Sequence, residues 1–108
     1  MSKRVIMLVC SGGMSTSLLA ANMVKVADQI HLDVDVFAVP MSDAVDFANK
    51  HTVDVLLVGP QIRYMLTDFK NKLASTAIPI SVIPMKDYGM MDGKSVLAFA
   101  DELIKNNA

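Results

Sequence analysis

Four short apolar runs alternate with four segments of helical period along this chain, and few folds satisfy that alternation. Residues 5–9 and 53–58 are the most apolar runs and read as strands buried on both faces. Residues 33–39 alternate polar and apolar before Pro40, as an outer strand should. Residues 78–83 form the fourth run, and Pro79 inside it argues for a sheet edge. Between strands, residues 15–29 read as a helix with Leu18, Leu19, Met23, Val26 and, just beyond, Ile30 at helical spacing. Ser42 is placed to cap a second helix reaching about residue 51, with Ala44, Val45 and Ala48 inward. A third helix is expected over 61–73, with Ile62, Met65, Leu66 and Phe69 on one stripe. A fourth is expected over 92–104, with Val96, Leu97 and Ala100 inward.

Such alternation with short connections gives right-handed crossovers and a parallel sheet between two helical layers. The expected fold is therefore α/β: a four-stranded parallel sheet of order 2-1-3-4 with helices on both faces, flavodoxin-like or phosphatase-like. The 108 residues suit one domain, 1–108, and 53% hydrophobic residues suffice for a core. Ten basic against eleven acidic residues leave no footprint for nucleic acid and no basic run for an anionic membrane. The apolar runs are too short to span a bilayer, so no direct membrane insertion is expected. Lys3 and Arg4 before residues 5–9 mimic a secretion signal, but the run enters Cys10 and a Gly-Ser loop without a cleavage pattern. One cysteine cannot close an internal disulfide, and a reduced thiol fits the cytoplasm.

In such a sheet a ligand sits outside the carboxyl ends of the strands, at the switch point beside strand 1. Residues 10–14, 40–42, 59–61 and 84–92 are then the working rim. The first of these continues into a helix as Cys10, Ser11, Gly12, Gly13, Met14, Ser15, Thr16, Ser17. Physically this is an anion cradle. The two glycines permit positive φ and close backbone approach, so successive N–H groups can converge on one point. The helix N-terminus adds further N–H groups and its positive dipole end, and Ser15, Thr16 and Ser17 add hydroxyls. The same field favours a thiolate at Cys10 and makes it the candidate nucleophile.

A phosphatase loop would place an arginine six positions after the cysteine, followed by a hydroxyl residue. Thr16 stands where that arginine would be, while Ser17 matches the hydroxyl position. Without a bidentate clamp the transition state for hydrolysis loses its main charge partner. The usual Asp-Pro acid is missing too, since the four prolines follow Val39, Gly59, Ile78 and Ile83. A loop that accepts phosphate but hydrolyses it poorly suits a carrier. His31 and His51 each follow a helix and precede a strand, which puts them at the other end of the sheet as solvated helix-end residues. No spacing resembles a metal site, and no cofactor is expected.

Three segments carry a family resemblance: the Cys10 loop with Leu18 and Leu19; residues 56–66 (Leu-Leu-Val-Gly-Pro-Gln-Ile-Arg-Tyr-Met-Leu); and residues 88–93 (Tyr-Gly-Met-Met-Asp-Gly). Together they resemble the sugar-specific IIB components of the bacterial phosphotransferase system, of the lactose, cellobiose and chitobiose class. The resemblance implies that Cys10 accepts a phosphoryl group from a phosphohistidine of a IIA partner. It implies further that Cys10 passes the group to a sugar, a β-linked disaccharide or oligosaccharide, during uptake through a membrane IIC partner. Gln61, Tyr88 and Asp92 become accessory candidates, and Tyr64 a residue that only packs. The family's loop often has one glycine where this chain has Gly12 and Gly13. On the residues alone, a tyrosine-phosphatase-like hydrolase and a non-catalytic anion-binding module stay open as alternatives. Arg63, Lys86 and Lys94 are candidate contacts to phosphate or partner. Met14, Met41, Met85, Met90 and Met91 either fold onto the core or form an adaptable docking face.

Overall fold

β1 (Arg4–Cys10) is covered on both faces, and the rest of the chain is arranged by which face it covers. In this computed structural model, which describes residues 3–12 and 15–107, β1 pairs in parallel with β2 (Val34–Pro40) on one side and β3 (Val55–Val58) on the other. β4 (Ile80–Val82) adds beyond β3, so the order is β2-β1-β3-β4, as the alternation requires. The period of two then sorts side chains between two cores. Ile6 and Leu8 of β1 and Val55 and Leu57 of β3 face α1 (Ser15–Gln29) and the last helix, against Leu19, Met23, Val96 and Ala100. Met7, Val9, Leu56 and Val58 face α2 (Met41–Lys50) and α3 (Leu66–Lys72), against Ala44, Ala48 and Phe69. Burial on both faces is why these strands are apolar without interruption.

The helix expected over 61–73 is divided. Pro60–Met65 winds as a 3-10 turn with Ile62 off helical values (φ −118, ψ 28), and α3 follows. Ser42 does not cap α2. The helix starts directly after Pro40, whose extended backbone (φ −69, ψ 151) makes the cap position without a side-chain bond. Residues 84–92 are not wholly loop, since α4 (Met85–Gly89) lies within them before α5 (Gly93–Asn107). The fourth strand is shorter than the 78–83 expected. Pro79 stays outside it but lends its carbonyl to the Leu56 N–H at 3.0 Å. On α1 the buried face is Thr16, Leu19, Ala20, Met23 and Ala27, whereas Leu18 and Ile30 are exposed. His31 ends α1 in a left-handed conformation (φ 58), and the Leu32 N–H closes back on Ala27 at 2.8 Å. His51 stacks on Phe47 at 4.2 Å. Both histidines therefore sit at the end of the sheet opposite Cys10.

Candidate functional site

Cys10 is the last residue of a central strand, paired in register with Pro40 at the end of β2. It is half-buried, and its Sγ lies 3.9 Å from the Val39 carbonyl oxygen. On its other side the Gly59 N–H bonds the Val9 carbonyl at 2.9 Å, so β1 and β3 stay joined up to the crevice. Gly59 is confined: a Cβ there would lie 3.3 Å from that same Val9 oxygen. Beyond the strand, Gly12 takes φ +121 with open space around it. That is a backbone state side-chain-bearing residues rarely adopt, and it is the reason for a glycine at this point of the loop. Ser11 and Gly12 are exposed; Gly13 and Met14 lie outside the described residues.

α1 then begins at Ser15. Its three hydroxyls divide: Ser15 and Ser17 are exposed, while Thr16 is fully buried. Thr16 thus stands at the position of a phosphatase's arginine as a packed side chain of the first turn, and brings no charge there. The buried hydroxyl of Tyr88 reaches this turn, 2.5 Å from Ser15 Oγ and 3.4 Å from Thr16 Oγ1.

The segment after Tyr88 is fastened to the same helix. Asn22 donates its Nδ2 to the Met91 carbonyl at 3.1 Å, holding Met91 in a left-handed turn (φ 52). A Cβ on Gly93 would stand 2.7 Å from the backbone carbon of Asn22, so α5 crosses α1 at a distance only glycine permits. Asp92 caps the helix at this crossing. Its carboxylate accepts the Ser95 N–H at 3.1 Å and the Ser95 hydroxyl at 2.8 Å, capping α5. These bonds hold the Asp92 carboxyl below the usual carboxylate value, the Ser95 backbone N–H first and its hydroxyl next. Sequence reasoning missed Asn22, a polar residue on an amphipathic helix with no motif to mark it. Nothing in the 88–93 segment marks Gly93 as a point of helix contact either.

Beside the loop, Gln61, Arg63, Tyr64, Met85 and Tyr88 line an open groove of about 590 Å³. Tyr64, expected only to pack, is 70% exposed in it. The rim methionines separate. Met85 and Met90 are exposed, whereas Met41 and Met91 pack against the two cores, as does Met65. Lys86 and Lys94 are exposed, and Lys94 lies on a different groove, between α1 and α5.

A parallel, doubly wound sheet with a cysteine at its switch point, followed by a positive-φ glycine and a hydroxyl-bearing helix N-terminus, defines a class of small α/β proteins with a cysteine loop at the carboxyl end of the first strand. Residues 5–99 match the family model of the lactose/cellobiose-specific IIB subunit of the phosphotransferase system, and the chain belongs to that family. It is 40% identical over 107 residues to the galactose-specific EIIB component of Lactococcus lactis subsp. cremoris, covering 96% of this chain and 99% of the relative. It shares 36% identity over 101 residues with the oligo-beta-mannoside-specific EIIB component of Bacillus subtilis, covering 94% and 96%. The solution structure of the cellobiose-specific IIB component of Borrelia burgdorferi superposes with a TM-score of 0.80 at 30% identity, over 99% and 96% of the two chains. The lactose-specific IIB domain of Streptococcus pneumoniae shares the fold at 17% identity, with a TM-score of 0.83 over 94% and 97%. Among the described residues, no helix is long and apolar enough to cross a membrane.

Proposed function

We propose that this chain is a phosphoryl carrier in which Cys10 is the phosphorylated residue. The observation that carries the reading is the position of the chain's single cysteine, at the carboxyl end of β1 and one short connection before a helix N-terminus. The loop of Ser11, Gly12, Gly13, Met14, Ser15, Thr16 and Ser17 holds the group, with N–H groups and hydroxyls opposing its charge. In the first half-reaction the Cys10 thiolate attacks phosphorus in line. An S–P bond forms as the N–P bond of a IIA phosphohistidine breaks, and the electron pair returns to the imidazole. In the second, a sugar hydroxyl oxygen attacks while the sugar is held by IIC. The O–P bond forms, the hydroxyl proton passes to solvent, and the thiolate leaves with the S–P electrons. Donor and acceptor must each reach near-contact with phosphorus, so IIA and IIC meet the same rim in turn.

Thr16 supports a carrier over a hydrolase, because a buried neutral side chain cannot clamp a developing trigonal phosphoryl group. The exposed side chains of Met85, Met90 and Tyr64 are apolar and adaptable, which suits weak contact with two unlike partners. The sugar is a β-linked disaccharide or oligosaccharide, and the carrier works in the cytoplasm as one domain. Mass measurement after incubation with phosphoenolpyruvate, the general relay proteins and IIA tests the reading. A carrier gains one phosphoryl group on Cys10 and keeps it until sugar and IIC are supplied. A protein that gains none, or releases inorganic phosphate continuously, is something else.

A further inference from the structure

We infer that Tyr88 is a positioning residue for the phosphorylated loop: its hydroxyl donates to Ser15 and thereby commits the Ser15 proton to the phosphoryl group. The inference rests on the carrier reading above. Tyr88 is only 6% exposed, and its hydroxyl stands between Ser15 Oγ at 2.5 Å and the fully buried Thr16 Oγ1 at 3.4 Å. Each of the three hydroxyls has one proton to give. A phenol is the stronger donor and the weaker acceptor of a phenol–alcohol pair, so the short bond runs from Tyr88 to Ser15. The Ser15 proton is then left for another acceptor, and Ser15 is exposed at the first residue of α1, next to the loop. A dianion bound there strengthens the chain, because each hydrogen bond in a series polarises the next.

The surroundings keep Tyr88 in place. Its ring lies in the α1/α5 core, its segment is fastened by the Asn22 bond to Met91, and Gly93 allows α5 to close on α1. The same ring lines the groove with Tyr64 and Met85, so a partner seated there touches the residue that orients Ser15. This gives the aromatic residue of the 88–93 segment a role the sequence does not state.

The test is the second ionisation of phosphocysteine, followed by phosphorus NMR on protein phosphorylated through IIA. A hydrogen bond to the dianion favours the charged form, so its loss raises that ionisation. Tyr88→Phe keeps the ring and removes the hydroxyl. It should raise the titration midpoint by about 0.3 unit and slow transfer from IIA by about twofold, the scale of the polarisation one hydrogen bond lends the next. Ser15→Ala, which removes the donor itself, should raise it further, the double variant should go no further than Ser15→Ala, and Ser15→Thr should restore the wild-type midpoint. A titration unmoved by Tyr88→Phe, or shifts that add in the double variant, overturns the proposal while leaving the carrier reading intact. If Tyr88→Phe does not fold, Ser15→Ala decides alone, and an unmoved midpoint overturns it. Wild-type protein that takes up no phosphoryl group on Cys10 overturns both.

Discussion

At the amino end of the sheet Arg4 meets Asp101, which also receives Lys105 at 3.0 Å, and Lys3 reaches Asp33 at 4.0 Å. Asp46 with Lys50 and Asp68 with Lys72, each at 3.2 Å, close the last turns of α2 and α3 at the same end. Asp54 accepts the Val5 N–H at 2.7 Å there. At the carboxyl end the bonds are of another kind: Tyr88 to Ser15, Asn22 to Met91, Asp92 to Ser95, and backbone approaches at Gly59 and Gly93. Charge pairs fasten the amino end, whereas hydrogen bonds of hydroxyl, amide and carboxylate groups and close backbone contacts shape the end where Cys10 stands. On the carrier reading, an exposed hydroxyl such as that of Ser15 is placed to answer an incoming charge.

The sharpest way to break this division is Cys10→Ser, where the largest effect is expected. Serine keeps the size of the side chain, but a hydroxyl is a far weaker nucleophile than a thiol. Phosphoryl acceptance should be abolished while the melting temperature stays within about 2 °C of wild type. Acceptance at near-native rate by the folded serine variant would move the chemistry away from Cys10.

Gly93→Ala tests whether the carboxyl end is merely a surface. A methyl group there meets the backbone of α1 rather than a movable side chain, so α1 or α5 must shift. Overpacking of this kind costs about 1–3 kcal/mol. Denaturant unfolding should show that loss, and transfer should slow as well, because α1 carries the loop. A variant that is destabilised but transfers normally would separate the brace from the site.

How much of this was legible in the sequence follows from the same contrast. Strand order and the two-faced core were readable because residues 5–9 and 55–58 must be apolar to be covered on both sides. The position of the Cys10 loop between β1 and α1 was readable because an apolar run ends there in glycine and hydroxyl residues before a helical period begins. α4 was not, since five residues between Pro84 and Met90 are too short to show a period. Nor was the burial of Thr16 or the exposure of Tyr64, Leu18 and Ile30, because composition cannot tell which flank of a helix meets a neighbour. The Asn22 and Gly93 contacts join segments about seventy residues apart, and nothing local announces them.

Asp101→Asn probes the opposite end. The carboxylate faces two cations but is partly solvated, so its removal should lower stability by only about 0.5–1 kcal/mol. The loss should shrink as salt is added, since screening already weakens such pairs. Transfer through Cys10 should not change. A variant that transferred more slowly would show that the two ends are coupled through α5.

The smallest effect belongs to Asp92, at the carboxyl end. Its carboxyl is held below the usual carboxylate value by the Ser95 N–H and then the Ser95 hydroxyl, so the folded protein binds its proton less readily than the unfolded chain. The cap therefore contributes in full above the unfolded value and is lost as the pH falls through the lowered folded value. Asp92→Asn keeps an oxygen for the Ser95 N–H but does not titrate. Wild type and variant should differ by a nearly constant, small amount at neutral pH and converge as the solution is acidified below the carboxylate range. Stability curves that stay parallel through that range would show that the Asp92 charge contributes nothing to the α5 cap. The crossing of α1 and α5 would then rest on the close approach at Gly93, the Asn22 bond and the apolar contacts of Met23, Val96 and Ala100, without help from that charge.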